Sequence, residues 1–244
     1  MRLSIVIPAF DEAARLGPTL ETVCDFAARR EGGFEVIVVD DGSRDGTAAV
    51  AEGFAARGVR LLRLPRNRGK GAAVRTGVLA SQGARVLISD ADLSTPIAEL
   101  DRVEPHLAEA PLVFGSRGLG ESRVVRHQPW YRQAMGRTFN LIIRLLGVGG
   151  LRDTQCGFKL LDGETARQLF AEMTVDGFAF DVELVLLARR RGLAIVEIGV
   201  EWANAEGSRV HPVWSSLGML RDVLRLRFRL ALRGDRATAE RREA

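Results

Sequence analysis

Two hydrophobic periodicities alternate along the first 118 residues. Short runs rich in Val, Ile and Leu ("RLSIVIPAF", "FEVIVVDDGS", "VRLLRLPRN", "ARVLISDADLS" and "APLVFGSRG") are bounded by Gly, Pro or Asp, the signature of strands. Between them, "EAARLGPTLETVCDFAARR", "DGTAAVAEGFAARG", "GKGAAVRTGVLASQG" and "PIAELDRVEPHLAEA" carry helical spacing on an Ala-rich background. Strand and helix in strict alternation predict an α/β fold, a mostly parallel sheet with helices on both faces. Near-continuous apolar strands suit a sheet that is buried on both sides. Open sheets of this kind bind ligands beyond the carboxyl ends of their strands. Pro8, Asp40, Asp41, Asp90, Asp92 and the "GSR" of Gly115 to Arg117 all fall at such ends, so polar chemistry gathers on one edge.

Beyond residue 120 the alternation lapses. "RQAMGRTFNLIIRLLGV" predicts a helix with Met135, Phe139, Ile142, Ile143 and Leu146 on one face; "DVELVLLARRRG" predicts another and "LAIVEIGVEW" a further strand. In "SSLGMLRDVLRLRFRLALRG", Leu217, Leu220, Leu224, Phe228 and Ala231 make an apolar stripe, with Arg221, Arg225, Arg229 and Arg233 beside it. The expected organisation is one domain over residues 1–233: a half over 1–118, a second over 119–212, and a basic amphipathic helix over 213–233. The polar stretch 234–244 is expected to be disordered.

Composition narrows the function classes. A chain of 244 residues with 46% hydrophobic residues can bury a substantial core. The Arg-rich net charge of +4 favours anionic partners such as nucleotide, phosphate or acidic lipid. Aromatic residues at 6% do not provide the stacking platform of a nucleic-acid surface, and no nucleic-acid partner is expected. Cys24 and Cys156 are too few for a disulfide framework and too scattered for a zinc site. No run of eighteen apolar residues is present, so no segment is expected to span a bilayer. The opening run meets Pro8 too soon for a signal peptide, and a cytoplasmic location is expected.

The stretch "LISDADLSTP" raises the sharpest chemical question. In extended backbone Asp90 and Asp92 would share one face, where their charges repel unless a cation sits with them. Two such carboxylates can hold Mg²⁺ or Mn²⁺, and a cation with open positions can bridge a nucleotide diphosphate and neutralise it as it leaves. In "VVDDGSRDGT", Asp40 can accept hydrogen bonds from a base or ribose, while "SRDGT" offers helix caps. "PRNRGKGAAVRTG" matches neither the phosphate loop nor the dinucleotide fingerprint. Lys70, beside a helix N-terminus, can still orient a phosphate-bearing ligand.

"SIVIPAFDEAARL", "VIVVDDGSRDGT", "NRGKGAAVRTG" and "DADLSTP" resemble the successive nucleotide-sugar motifs of family 2 glycosyltransferases, which have the GT-A fold. "RDTQCGFKLL", "FAFDVELV" and "EGSRVHPVWSSLGMLRD" resemble the dolichyl-phosphate β-glucosyltransferase branch, a similarity spanning roughly residues 3–233. The resemblance implies that Pro8, Ala9 and Glu12 contact the nucleotide and that Asp40 reads the base. It places Lys70, Asp90 and Ala91 with the nucleotide sugar and makes Asp92 the Mg²⁺ or Mn²⁺ ligand. It further implies an inverting, in-line transfer of a sugar, glucose by resemblance, from a UDP-sugar to a polyprenyl phosphate. That acceptor is already anionic and needs cations rather than a base. Arg117 and Arg209 lead the candidates for holding it, followed by Arg123 and Arg126. Asp153 and Asp181 fall in acceptor-side motifs, to orient the acceptor or act as base. His211 is a weaker metal candidate, and Cys156 is read as a packed small residue. Eukaryotic members of that branch carry an N-terminal membrane anchor. Here the chain opens on its first strand, so its last helix is expected either to lie on the inner membrane face with its arginines on acidic headgroups or to pack its apolar stripe on the domain. The competing readings are a soluble family 2 transferase acting on a small hydroxylated acceptor, with Asp153 or Asp181 as base, and a sugar-nucleotide-binding module or membrane adaptor without catalysis.

Overall fold

The computed structural model describes residues 2–126, 149–204, 218–219, 221–226 and 228–229. Its main sheet has seven strands in the order β3-β2-β1-β4-β7-β5-β8. These are β1 (Leu3–Ala9), β2 (Phe34–Asp40), β3 (Val59–Arg63), β4 (Arg85–Ile88), β5 (Leu112–Ser116), β7 (Lys159–Asp162) and β8 (Ile195–Gly199). All pair in parallel except β7, which runs antiparallel to both β4 and β5. A separate two-stranded ribbon joins β6 (Arg123–Arg126) to β9 (Glu201–Ala203).

Alternation along the strands divides the core into two layers, because successive side chains point to opposite faces. Val6, Ile37, Val39, Val86, Ile88, Leu112 and Phe114 pack on one face, under α3 (Lys70–Ala80), α5 (Gly163–Glu172) and α6 (Phe180–Arg190). Ile5, Ile7, Val36, Val38, Leu87 and Val113 pack on the other, under α1 (Ala13–Ala28) and the single turn α4 (Leu100–Val103), with α2 (Thr47–Glu52) against α1. Double-sided burial explains why these strands lack polar alternation.

Three expectations need amendment. The helix foreseen in "PIAELDRVEPHLAEA" is only the turn α4 between two 3-10 turns, Ile97–Glu99 and Glu104–Ala108. Pro105 supplies no N–H and crowds the carbonyl four residues back, so a continuous helix cannot form there. "LAIVEIGVEW" forms two strands, β8 and β9, rather than one. In the last helix, Val223 and Leu226 are the buried positions, with Met219 packed beside the core, whereas Leu224 and Phe228 of the expected apolar stripe face outward. The helix expected around residues 132–146, together with Arg209 and His211, lies outside the described residues.

Candidate functional site

Every parallel strand delivers its carboxyl end to one rim, and the first portion of that rim is built by β1, β2 and the loops after them. Ala9 pairs with Asp40 in register, next to Pro8 with Val39. The loop 10–13 is zipped to the loop 41–47. Asp11 N donates to Ser43 Oγ at 2.9 Å, Glu12 N to Thr47 Oγ1 at 2.8 Å and Ala13 N to Asp45 Oδ2 at 3.2 Å. The "SRDGT" side chains therefore satisfy the amino end of α1 as well as their own turn, where Asp45 Oδ1 accepts from Thr47 N. Glu12 grips Arg15 through two 2.7 Å hydrogen bonds.

Asp40 is fully buried, with Oδ1 accepting from Ser43 N at 2.9 Å. Its buried Oδ2 has no hydrogen-bond partner among the described residues, Arg63 Nε standing 3.5 Å away. A buried, unsatisfied carboxylate oxygen is costly and suits a ligand N–H or O–H donor. Asp41, beside it, is turned to a different task. It accepts from Arg68 N and Gly69 N, both at 2.8 Å, and burial pushes its carboxyl above the usual range despite those bonds. On its other side the same loop is clamped by Asp176, whose carboxylate takes Arg68 at 2.9 Å and Arg75 at 2.6 Å. Gly69 has φ +111°, and a Cβ there would lie 2.5 Å from Asp176 O. The clamp fixes Lys70 at the first position of α3.

The acidic pair does not lie on extended backbone, because β4 ends at Ile88. Asp90 to Asp92 form a turn in which Leu93 N bonds Asp90 O at 3.2 Å and Leu93 takes φ +46°. The two carboxylates are thereby given separate partners. Asp90 Oδ1 meets Lys70 Nζ at 2.5 Å, and its carboxylate lies so close over Gly157 that a Cβ there would stand 1.9 Å from Oδ2. Burial opposes ionisation of Asp90, but Lys70, Lys159 and Arg117 outweigh it and hold the carboxyl below its ordinary range. Burial likewise opposes the charge on Lys70, and Asp90, Asp181 and Asp92 raise its pKa in spite of it. Asp92 Oδ1 accepts from Ser94 N at 3.0 Å, while Oδ2 stands 3.9 Å from Arg15. Ala91, between the two acids, is anchored to α1 by its carbonyl, which accepts from Thr19 Oγ1 at 2.7 Å.

The far side of the rim is a second knot of paired charges. Arg117 donates through Nε, Nη2 and its backbone N to Asp153 at 2.6, 2.9 and 3.0 Å, and its guanidinium lies 5.4 Å from the Trp202 ring centre. Glu197 on β8 holds the backbone beneath, accepting from Arg152 N at 2.7 Å and Asp153 N at 2.8 Å. Burial would raise the Asp153 carboxyl, yet Arg117 brings it down to about 2. Lys159 is 1% exposed and sits 2.8 Å from Asp181 Oδ1, with its ammonium also on Cys156 O. Asp181, in the first turn of α6, is raised by burial even against Lys159 and Lys70. Cys156 is buried and packed against Thr95, and burial lifts its thiol.

The structure thus brings Asp40, Lys70, Asp90, Ala91, Asp92, Arg117, Asp153 and Asp181 to one rim. Arg123 is exposed on β6 and pairs with Glu201 at 3.6 Å; Arg126 closes the same strand. Lys159, Trp202 and Glu197 were not foreseen, and Asp41 was expected only as one of the polar strand ends. Lys159 escaped because β7 is antiparallel, so its first residue, not its last, reaches the rim between β4 and β5. Among the described residues no cluster of three or more His, Cys, Asp or Glu side chains is placed to hold a metal alone. A divalent ion here would take one or two carboxylates and complete its shell with phosphate oxygens and water, the usual habit of Mg²⁺. Asp92 fits that role, since its Oδ2 is not in a close ion pair. A cavity of about 620 Å³ between Arg2, Arg85, Glu104 and Asp162 lies at the opposite end of the sheet, where Arg85 and Glu104 are paired with each other.

Comparison with known proteins gives concordant results. Residues 4–166 match the family described as Glycosyl transferase family 2. A dolichyl-phosphate beta-glucosyltransferase of Dictyostelium discoideum is 37% identical over 94% of this chain and 75% of its own length. The Homo sapiens protein of that name is 36% identical over 93% of this chain and 75% of its own. Among solved structures, glucosyl-3-phosphoglycerate synthase from Mycobacterium tuberculosis, in complex with Mn²⁺, UDP-glucose and phosphoglyceric acid, superposes with a TM-score of 0.69. It is 20% identical and covers 93% of this chain and 79% of that one. Mannosyl-3-phosphoglycerate synthase from Rubrobacter xylanophilus gives a TM-score of 0.70 at 21% identity, over 96% of this chain and 75% of that one. The fold is GT-A.

Proposed function

Because the chain belongs to glycosyltransferase family 2, we propose that it transfers glucose from UDP-glucose to a polyprenyl phosphate, with inversion, at the inner membrane surface. The glucosyl group and the dolichyl-phosphate type of acceptor are those in the names of its relatives, and UDP-glucose is the molecule bound in the Mycobacterium tuberculosis structure. In the proposed reaction an oxygen of the acceptor phosphate attacks the anomeric carbon in line, the bond from that carbon to the diphosphate breaks, and UDP leaves.

One observation carries the choice of acceptor: both carboxylates available as a base are already engaged by cations. Asp153 has its two oxygens on Arg117, and Asp181 is buried against Lys159. An alcohol acceptor would have to surrender a proton, whereas a phosphate oxygen is anionic near neutral pH and needs only a positive cradle. Arg117, held by Asp153 and Trp202 with Nη1 outside the pair, supplies that cradle, with Arg209 as a second candidate. Asp40 reads the base through its unsatisfied Oδ2, with Pro8, Ala9 and Glu12 lining the nucleotide beside it, and Lys70 orients the sugar diphosphate from the head of α3. Asp92 would hold Mg²⁺ or Mn²⁺, which when bound would neutralise charge on the departing diphosphate. Among the described residues no helix is long and apolar enough to cross a membrane.

The burial that raises Asp181 favours a second reading, a hydroxylated acceptor with Asp181 as base. Incubation with UDP-glucose, Mg²⁺ or Mn²⁺ and a polyprenyl phosphate, with products read by mass, separates the two. A lipid-linked hexose supports the first. Folded, UDP-binding enzyme that yields none overturns it, and glucosylation of a small alcohol in its place supports the second.

A further inference from the structure

The described part of the last helix is oriented unambiguously by what it buries. Val223 and Leu226 are 0% and 1% exposed, and Met219 packs beside them. Arg229 reaches back to the buried Glu183 at 3.6 Å. Positions three and four apart share a face, so Arg221, Leu224, Arg225 and Phe228 form the side turned away from the core. Leu224 is 52% exposed and Phe228 69%, and both arginines are exposed. Asp222 sits at the edge of that side, with Oδ2 toward Gly177 and Oδ1 3.4 Å from Arg221 Nη2. Two large apolar groups interleaved with two arginines make poor solvent-facing surface but match the boundary between acyl chains and anionic headgroups. The helix that carries this face is anchored close to the chemistry by its opposite, buried side: Met219 Sδ accepts from Gln155 Nε2 at 3.2 Å, two residues from Asp153.

We infer that the face formed by Arg221, Leu224, Arg225 and Phe228 docks on an anionic lipid bilayer, bringing the rim beside Asp153 up to the membrane. The choice of a bilayer over a second copy of the chain rests on charge, since two such faces brought together would oppose four arginines. The inference deepens the proposed function and rests on it only for the purpose of docking, not for its occurrence.

The test is flotation of the full chain with vesicles of phosphatidylcholine alone and of phosphatidylcholine mixed with phosphatidylglycerol. Wild-type protein is expected to float with the mixed vesicles and far less with the neutral ones. Leu224→Ser/Phe228→Ser should weaken partitioning by on the order of tenfold, through loss of buried apolar surface. Arg221→Gln/Arg225→Gln keeps the apolar pair and should cost roughly fivefold per arginine. UDP binding and thermal unfolding should be unchanged in both variants. Equal flotation of variant and wild type, or none with either vesicle, overturns the inference. So does a wild-type dimer in sedimentation that the serine variant converts to monomer. Sugar transfer to a short, water-soluble prenyl phosphate separates the two proposals: activity without flotation refutes docking alone, and flotation without activity refutes the acceptor alone.

Discussion

Replacing Asp153 with Asn preserves the shape of the side chain while removing the charge that holds Arg117. The carboxylate accepts three hydrogen bonds from Arg117 and a fourth from Gln155 N at 3.1 Å, and it is only 3% exposed. Its pKa falls from the usual 3.8 to about 2, which corresponds to roughly 2 kcal/mol favouring the ionised, paired form. An amide would turn one N–H donor against the guanidinium and leave a buried charge short of its partner, at a cost of about 3 kcal/mol or more. For a chain of this size that lowers Tm by roughly 5–10 °C. Because the folded pKa is depressed, this stabilisation is fully present above the unfolded value near 4 and fades as pH drops toward about 2. The variant should therefore lose part of the acid limb of the stability–pH curve and leave the neutral region flat. If Asp153 positions Arg117, steady-state assays should show the KM for polyprenyl phosphate rising on the order of tenfold or more, while UDP affinity, set at the far side of the rim, stays within about twofold. A variant that loses kcat a thousandfold or so at unchanged acceptor KM, and sheds an acidic limb seen in the wild-type pH–rate profile, would refute this and identify Asp153 as a base.

Asp92→Ala removes one hydrogen bond to Ser94 N and should barely alter Tm, yet abolish manganese binding in titration calorimetry with UDP present and reduce turnover at least about a hundredfold. Unaltered manganese affinity would remove Asp92 from the metal site. Asp40→Asn leaves the Ser43 turn an acceptor but exchanges the other carboxylate oxygen for an amide donor, so UDP should bind roughly ten- to hundredfold more weakly by calorimetry. Equal affinity would show that Asp40 does not meet the base. Gly157→Ala drives a methyl group to 1.9 Å from Asp90 Oδ2 and must push that carboxylate off Lys70. Turnover is expected to fall on the order of a hundredfold in protein that still folds, and wild-type rates would mean that the Asp90–Lys70 geometry is immaterial.

How much of this was legible in the sequence depended on whether a local pattern or a long-range contact decided it. The parallel strands and the helices α1, α3 and α6 follow from periodicity, because double-sided burial demands apolar runs and amphipathic cover. The antiparallel β7 did not, since its "KLLD" is four residues long and nothing local specifies direction. The outward turn of Leu224 and Phe228 was equally hidden. Helical spacing identifies both the 217/220/224/228 stripe and the 219/223/226 stripe, and only the docking of Arg229 on Glu183 and of Met219 on Gln155 selects between them. At the site, residues at carboxyl ends of parallel strands were visible, but the partners that give each its state were not. Asp90 is ionised through a lysine from the head of α3 and another from an antiparallel strand.

Charge accounting at the rim links these parts. Lys70, Lys159 and Arg117 are matched one to one by Asp90, Asp181 and Asp153, so the central floor carries little net charge before any ligand arrives. A nucleotide diphosphate and a second phosphate would add several negative charges in a partly water-excluded space, where like charges repel strongly. Three cations already matched by acids can orient those groups, as Arg117 and Lys70 do on the proposed reading, but bring no surplus charge to offset them. On the proposed reading, the acids serve to fix cations in place rather than to accept protons, and the added charge must be met from outside the floor. Asp92 belongs to none of the three pairs and keeps one oxygen in no close ion pair. Metal need is thereby tied to acceptor charge. A neutral acceptor should relax the divalent-ion requirement relative to a phosphate acceptor in side-by-side titrations. Identical metal curves for the two would mean that the floor's neutrality has no bearing on catalysis.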